Sequence, residues 1–248
     1  ELNLQQKLSP SAREAFQNGS GTELLPTERR PAKMAALHSS SALAVNAFDY
    51  WSDKPLNAVA DALGLERVPS RFQFEAQFST GLGGIPPNLD LAFYYSNNDV
   101  LGVESKFSEW ISKKKPAAEH FKPKYFPETN PLWLRSGLHG AQSLAYAIHT
   151  GELRFQHLDA AQLLKHILGL ATSAPGPVSL YYIYYDLPGQ ESSIHHTEIE
   201  RFSELVGSDV NFRSISYQAF LGKLGRSLKG DHRAYLDYMG RRYCGAAV

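Results

Sequence analysis

Among 248 residues there is a single cysteine, Cys244. One thiol can form neither an internal disulfide nor a cysteine-only metal cluster, which suits a reducing compartment. Net charge is missing too, since 25 Lys and Arg balance 25 Asp and Glu. The molecule as a whole therefore has no field to draw in a polyanion, and nucleic acid could be held only through local patches. No apolar run approaches the roughly 18 residues of a membrane span, because Pro175, Pro177 or charges break the longest ones.

Several chemical signatures are absent as well. There is no G-x-S-x-G, and Cys244 lacks an activating context. The nine histidines include the adjacent His195 and His196 but no H-x-x-x-H pair, so zinc is not indicated. GLGG at residues 81–84 runs into prolines and not into a helix, which makes it a turn and not a phosphate loop. No signal peptide is recognisable, and a cytoplasmic location is expected. The chain opens on Glu1 and not on methionine, as a trimmed N-terminus would, which leaves room for a removed leader.

What is present is enough apolar residue, 43%, to bury one substantial core, with no repeat, linker or low-complexity tract to divide it. A single domain is expected. After a polar opening with a short helix near residues 11–17, HSSSALAVNAFDYW (38–51) reads as a serine-capped helix, followed by a helix at 56–63 closed by Gly64. RFQFEAQF (71–78) alternates strictly, so Phe72, Phe74, Ala76 and Phe78 should share one strand face, with Gln73, Glu75 and Gln77 on the other. Strands at 89–95 and 100–107 flank SNND as a hairpin.

Residues 113–135 read as a mobile loop, 136–150 and 159–171 as helices, and 178–185 as a buried strand whose tyrosines fill core and flank. A helix at 194–206, a short strand at 212–217 and a helix at 231–243 complete the chain. The expected class is α/β, a mixed sheet with helices around it, with a core at 37–186, an N-terminal extension at 1–36 and C-terminal helices at 187–248.

Asp90, Glu104 and Lys106 stand out because they are charged positions inside apolar strands. Residues two apart on a strand share a face, so Glu104 and Lys106 project together, and the hairpin can bring Asp90 opposite Glu104, with Glu75 a candidate on the preceding strand. Two carboxylates held together repel and tolerate joint ionisation when a divalent cation lies between them; oxygen donors favour Mg2+ or Mn2+. A lysine beside that ion can stabilise charge growing on a phosphate. The competing reading is a ladder of ion pairs on a solvated sheet face.

The pattern Asp90, thirteen intervening residues, then Glu104-Ser105-Lys106 resembles the PD-(D/E)XK, or restriction-endonuclease-like, nuclease superfamily. Here PPNLD places Pro86 and Pro87 earlier than the family's proline. The resemblance implies a core of helix, three-strand antiparallel meander, helix and strand. It also implies metal binding by Asp90, Glu104 and the Ser105 carbonyl, Lys106 as catalytic lysine, and hydrolysis of DNA phosphodiesters. GAQSLAYA has Gln142 and Tyr146 at a Q-x-x-x-Y spacing similar to that of RecB-like nucleases. HSSSALAVNAF resembles the HSSQA-x-x-x-N-x-F opening of a group of bacterial restriction-endonuclease-like proteins, with Ser41 in place of the glutamine. That group also carries an F-E strand, as Phe74-Glu75, and an E-x-K-F-x-E segment, as residues 104–109.

Each supporting residue has a simpler role open to it. Asn46 is either a buried hydrogen-bonding residue or a substrate contact, Gln142 an exposed helix residue, and Tyr146 a packed aromatic. Lys113, Lys114, Lys115, Lys122 and Lys124 can contact phosphates or simply be solvated. A binding module that keeps the nuclease fold with a disused site, and a repair or RNA-directed nuclease, are the rival functions. Nothing in the sequence decides whether two copies pair as a homodimer to cut both strands.

Overall fold

The computed structural model describes residues 3–19, 23–113, 121–127, 131–228 and 230–245. Its sheet has five strands in sequence order: β1 (Arg71–Gln77), β2 (Asn88–Tyr94), β3 (Val100–Lys106), β4 (Ser179–Tyr184) and β5 (Asn211–Ser216). The first three form an antiparallel meander, whereas β4 runs parallel to β3 and β5 parallel to β4. The β2–β3 turn is closed by Asn98 N–H to the Tyr95 carbonyl, with Asn98 in the left-handed region (φ 68°), which asparagine tolerates well.

Parallel neighbours require helical crossovers. Helices α1 (Pro10–Asn18), α2 (Ser40–Phe48) and α3 (Asn57–Leu63) precede the sheet. Between β3 and β4 run α4 (Leu132–Arg135), α5 (His139–Thr150) and α6 (Ala160–Ser173), and α7 (Gln190–Val206) leads to β5. The chain closes with α8 (Tyr217–Ser227) and α9 (Arg233–Met239). Ser39 caps α2 by accepting from Ala42 N–H, Asp159 caps α6 by accepting from Gln162 N–H, and Gly64 ends α3 at φ 69°.

Each sheet face carries its own core. On one side Leu91, Phe93, Leu101, Val103, Tyr181 and Ile183 meet α1, α2, α3, α8 and α9; on the other, Leu89, Ala92, Leu180 and Tyr182 meet α5, α6 and α7. The expected strict alternation of β1 does not hold. Phe72 and Phe74 pack into the first core, Ala76 and Phe78 into the second. Glu75 lies between them at φ 50°, a left-handed conformation that turns the strand over at a cost of about 1–2 kcal/mol. In β2, Leu91 and Leu89 part in the same way around Asp90. The apolar residues of β1 and β2 therefore change cores where the two acids sit.

Two other expectations need correction. The expected loop at 113–135 is anchored at several of its described residues, with Phe121, Tyr125, Leu132 and Trp133 buried in the second core and Trp133 Nε1 donating to the Tyr125 carbonyl at 2.9 Å. The sequence reading also has no counterpart to α8. YQAFLGKLGRS holds two glycines that weaken helix propensity, and the segment folds through the i, i+1, i+4 stripe of Phe220, Leu221 and Leu224 on the first core.

Gly169, inside α6, is required by close approach. A β-carbon there would lie 2.5 Å from the Phe78 carbonyl oxygen. Helix propensity alone makes alanine the better residue by about 1 kcal/mol. Here Gly169→Ala is instead expected to destabilise by about 1–3 kcal/mol, because backbone must move, and urea unfolding reads the sign directly.

Candidate active site

The site starts where the β2–β3 ladder stops. Paired positions run from Tyr94 with Val100 to Leu91 with Val103; the next opposed pair is Asp90 and Glu104. There the backbone ladder gives way to a side chain, and Asp90 Oδ2 accepts the Ser105 N–H at 2.7 Å. Ser105 points to the other face, where its Oγ lies 2.7 Å from the Tyr217 hydroxyl at the start of α8. The Glu-Ser-Lys segment is thus held from both faces of the sheet.

Glu104 is 1% exposed, and its two oxygens have different partners: Oε1 lies 2.5 Å from Lys106 Nζ, and Oε2 lies 3.0 Å from His166 Nε2. Lys106 also donates to Gln162 Oε1 at 3.1 Å. Burial this deep at Glu104 does not fit a solvated ion-pair ladder, whereas the Lys106 side chain is only partly buried. Burial alone would raise the Glu104 pKa, but Lys106 and then His166 outweigh it and hold the carboxyl at about 2. Burial likewise works against the Lys106 charge, and Glu104 and Asp90 together lift its pKa above the ordinary range.

Asp90 goes the other way. Withdrawal from water and the neighbouring Glu104 charge push its pKa well above the usual carboxylate range, against the opposing pull of Lys106 and the Ser105 N–H. The two acids therefore disfavour each other's ionised form. Among the described residues no three His, Cys, Asp or Glu side chains form a ready metal cage. The two carboxylates are hard oxygen donors of the kind that suit Mg2+ or Mn2+, ions that keep several waters.

Of the supporting residues, Glu75 lies nearest. Its Oε2 accepts from Asn88 Nδ2 at 2.6 Å, and burial, with help from Glu23 and Glu104, raises its pKa. Asn46 is buried and hydrogen-bonded: its Nδ2 donates to the Asn3 carbonyl and the Tyr243 hydroxyl, and its Oδ1 accepts Gln5 N–H, tying both of those segments to α2. Ser41 donates to Glu23. Gln142 and Tyr146 lie on α5, which packs against α4, α6 and α7; the Tyr146 ring, 55% exposed, meets Phe126, and neither residue hydrogen-bonds to Asp90, Glu104 or Lys106. Lys113 and Lys122 are exposed, Lys124 donates to the Gly83 and Leu82 carbonyls, and Lys114 and Lys115 fall outside the described residues.

The residues that do reach the site from a helix are Gln162 and His166, one turn apart on α6. Their Q-x-x-x-H spacing is legible in the sequence, as is the similar Q-x-x-x-Y on α5. A buried His four residues after a Gln, on a helix capped by Asp159, is the signal that could have found them.

No helix among the described residues is long and apolar enough to cross a membrane. No curated protein and no solved structure gave a significant match. One family does match, over residues 3–244, described as restriction endonuclease associating with ARP, and the chain belongs to that family.

Proposed function

We propose that the protein is a metal-dependent endonuclease that hydrolyses DNA phosphodiester bonds at Asp90, Glu104 and Lys106. One observation carries this reading: an acid from each arm of the β2–β3 hairpin lies at the point where the ladder opens, with a partly buried amine 2.5 Å from one of them. The family's name and the resemblance of the Asp90 and Glu104-Ser105-Lys106 pattern to PD-(D/E)XK nucleases support it.

Asp90, Glu104 and the Ser105 carbonyl would hold Mg2+ or Mn2+. Once bound, the ion would lower the pKa of a coordinated water and act as a Lewis acid toward the phosphate. That charge would favour the ionised form of Asp90. Lys106, kept cationic by the two acids and steadied by Gln162, sits where it can stabilise charge developing on the phosphate oxygens. Ser105 fixes the relative position of the arms through its N–H to Asp90 and its hydroxyl contact to Tyr217.

The test is incubation with supercoiled plasmid, single-stranded DNA and RNA, each with Mg2+ and with chelator. Plasmid cutting that requires Mg2+ is the expected result. Cutting that persists in chelator removes the metal from the mechanism, and cutting confined to RNA reassigns the substrate.

A further inference from the structure

His166 has no part in the reaction just described, yet it is 2% exposed and its Nε2 lies 3.0 Å from one oxygen of the central carboxylate. A buried polar ring placed there needs a purpose. The Glu104 oxygens are not equivalent: Oε1 faces Lys106 and Oε2 faces His166. Oε2 is on the α6 side, 3.0 Å from a ring held in a helix whose flank is buried from Ala160 to Leu170, a close approach whose angle falls short of a formed hydrogen bond.

Divalent cations differ in how they use a carboxylate. Mg2+ takes single oxygens at about 2.0–2.1 Å in an octahedron, whereas Ca2+ commonly takes both oxygens of one carboxylate at about 2.3–2.6 Å. We propose that His166 makes the site select small divalent cations, by donating its Nε2 proton to Oε2 and so restricting Glu104 to ligation through one oxygen. The proposal rests on the metal-dependent reading above. His166 is a positioning residue in this scheme, acting on the ion through Glu104. Gln162, one turn earlier, holds Lys106 from the same helix, so α6 orients both members of the Glu104–Lys106 pair.

The measurement is titration calorimetry of the full chain with MnCl2 and with CaCl2, read as the ratio of the two Kd values, which does not depend on the folded fraction of a sample. Wild-type protein is expected to favour Mn2+. His166→Phe keeps a ring of similar size without its N–H and should shift the ratio toward Ca2+ by about tenfold, the lower end of what partners of metal ligands contribute. His166→Gln, whose amide N–H reaches the same oxygen, should keep the wild-type ratio. A folded His166→Phe protein with an unchanged ratio overturns the proposal. So does metal-free wild-type protein whose His166 carries its proton on Nδ1 in nitrogen NMR, a reading that needs no variant; a proton on Nε2 supports it. Wild-type protein that binds both ions equally defeats the proposal alone, whereas one that binds neither defeats the metal-dependent reading as well.

Discussion

Lys106→Met is expected to cost the metal-free protein about 3–5 kcal/mol of stability, since removing one member of a buried pair strands the other charge. The stranded group is Glu104, 1% exposed and left with His166 as its remaining charged-type partner. The same substitution should reduce cleavage by about 10²–10³-fold, the usual cost of losing one preorganised group that stabilises transition-state charge. A second change separates the two effects. Adding Glu104→Leu removes the stranded charge, so the double variant should recover most of the lost stability and none of the cleavage.

The pH dependence has a fixed sign. Glu104 titrates at about 2 in the folded chain against an ordinary 4.5, so its contribution is fully present above the ordinary value and is lost as pH falls through about 2. Wild-type protein should therefore weaken over that acid window more steeply than the double variant. Urea unfolding at several pH values and a plasmid assay with Mg2+ suffice. A Lys106→Met protein as stable as wild type would contradict a buried pair, and a double variant that still cuts would remove both residues from the reaction.

Much of this arrangement was legible because strand and hairpin signals are local. The alternation at 71–78, the SNND turn and the acids inside apolar runs located β1, β2, β3 and the Asp90, Glu104 and Lys106 positions within a residue or two of the strands that carry them. The rest depends on distant partners. The reversal at Glu75 arises because two cores compete for one strand, a demand that no seven-residue window expresses. Helix α8 is weak in propensity and is made by the core it covers. His166 and Gln162 were invisible as site residues for a topological reason: α6 and α5 are adjacent crossover helices with similar spacing motifs, and only the packing of α6 onto β3 and β4 decides which one faces Glu104.

Asp90→Asn should make the metal-free protein more stable at neutral pH while lowering cleavage by about 10³-fold or more, since metal-ion stabilisation of transition-state charge is worth several kcal/mol. The stability gain follows from the direction of the Asp90 shift. A carboxyl whose folded pKa stands above its ordinary 3.8 keeps a proton in the folded chain over a range where the unfolded chain has released it, so stability falls as pH rises through that range. Asparagine cannot ionise, and its side-chain oxygen can still accept the Ser105 N–H that Asp90 holds at 2.7 Å. Removing the repulsion toward Glu104 should add about 1–2 kcal/mol, within the gain typical of relieving a functional site. Magnesium should invert the order. Binding to the folded state alone adds about 2.7 kcal/mol at a hundred times Kd, and only the wild-type pair of acids can collect it. Thermal unfolding with chelator and with Mg2+ should therefore show the two proteins exchanging rank. If wild type is the more stable in chelator as well, Glu104 and Asp90 do not repel in the folded chain, and the case for a cation between them fails with that result.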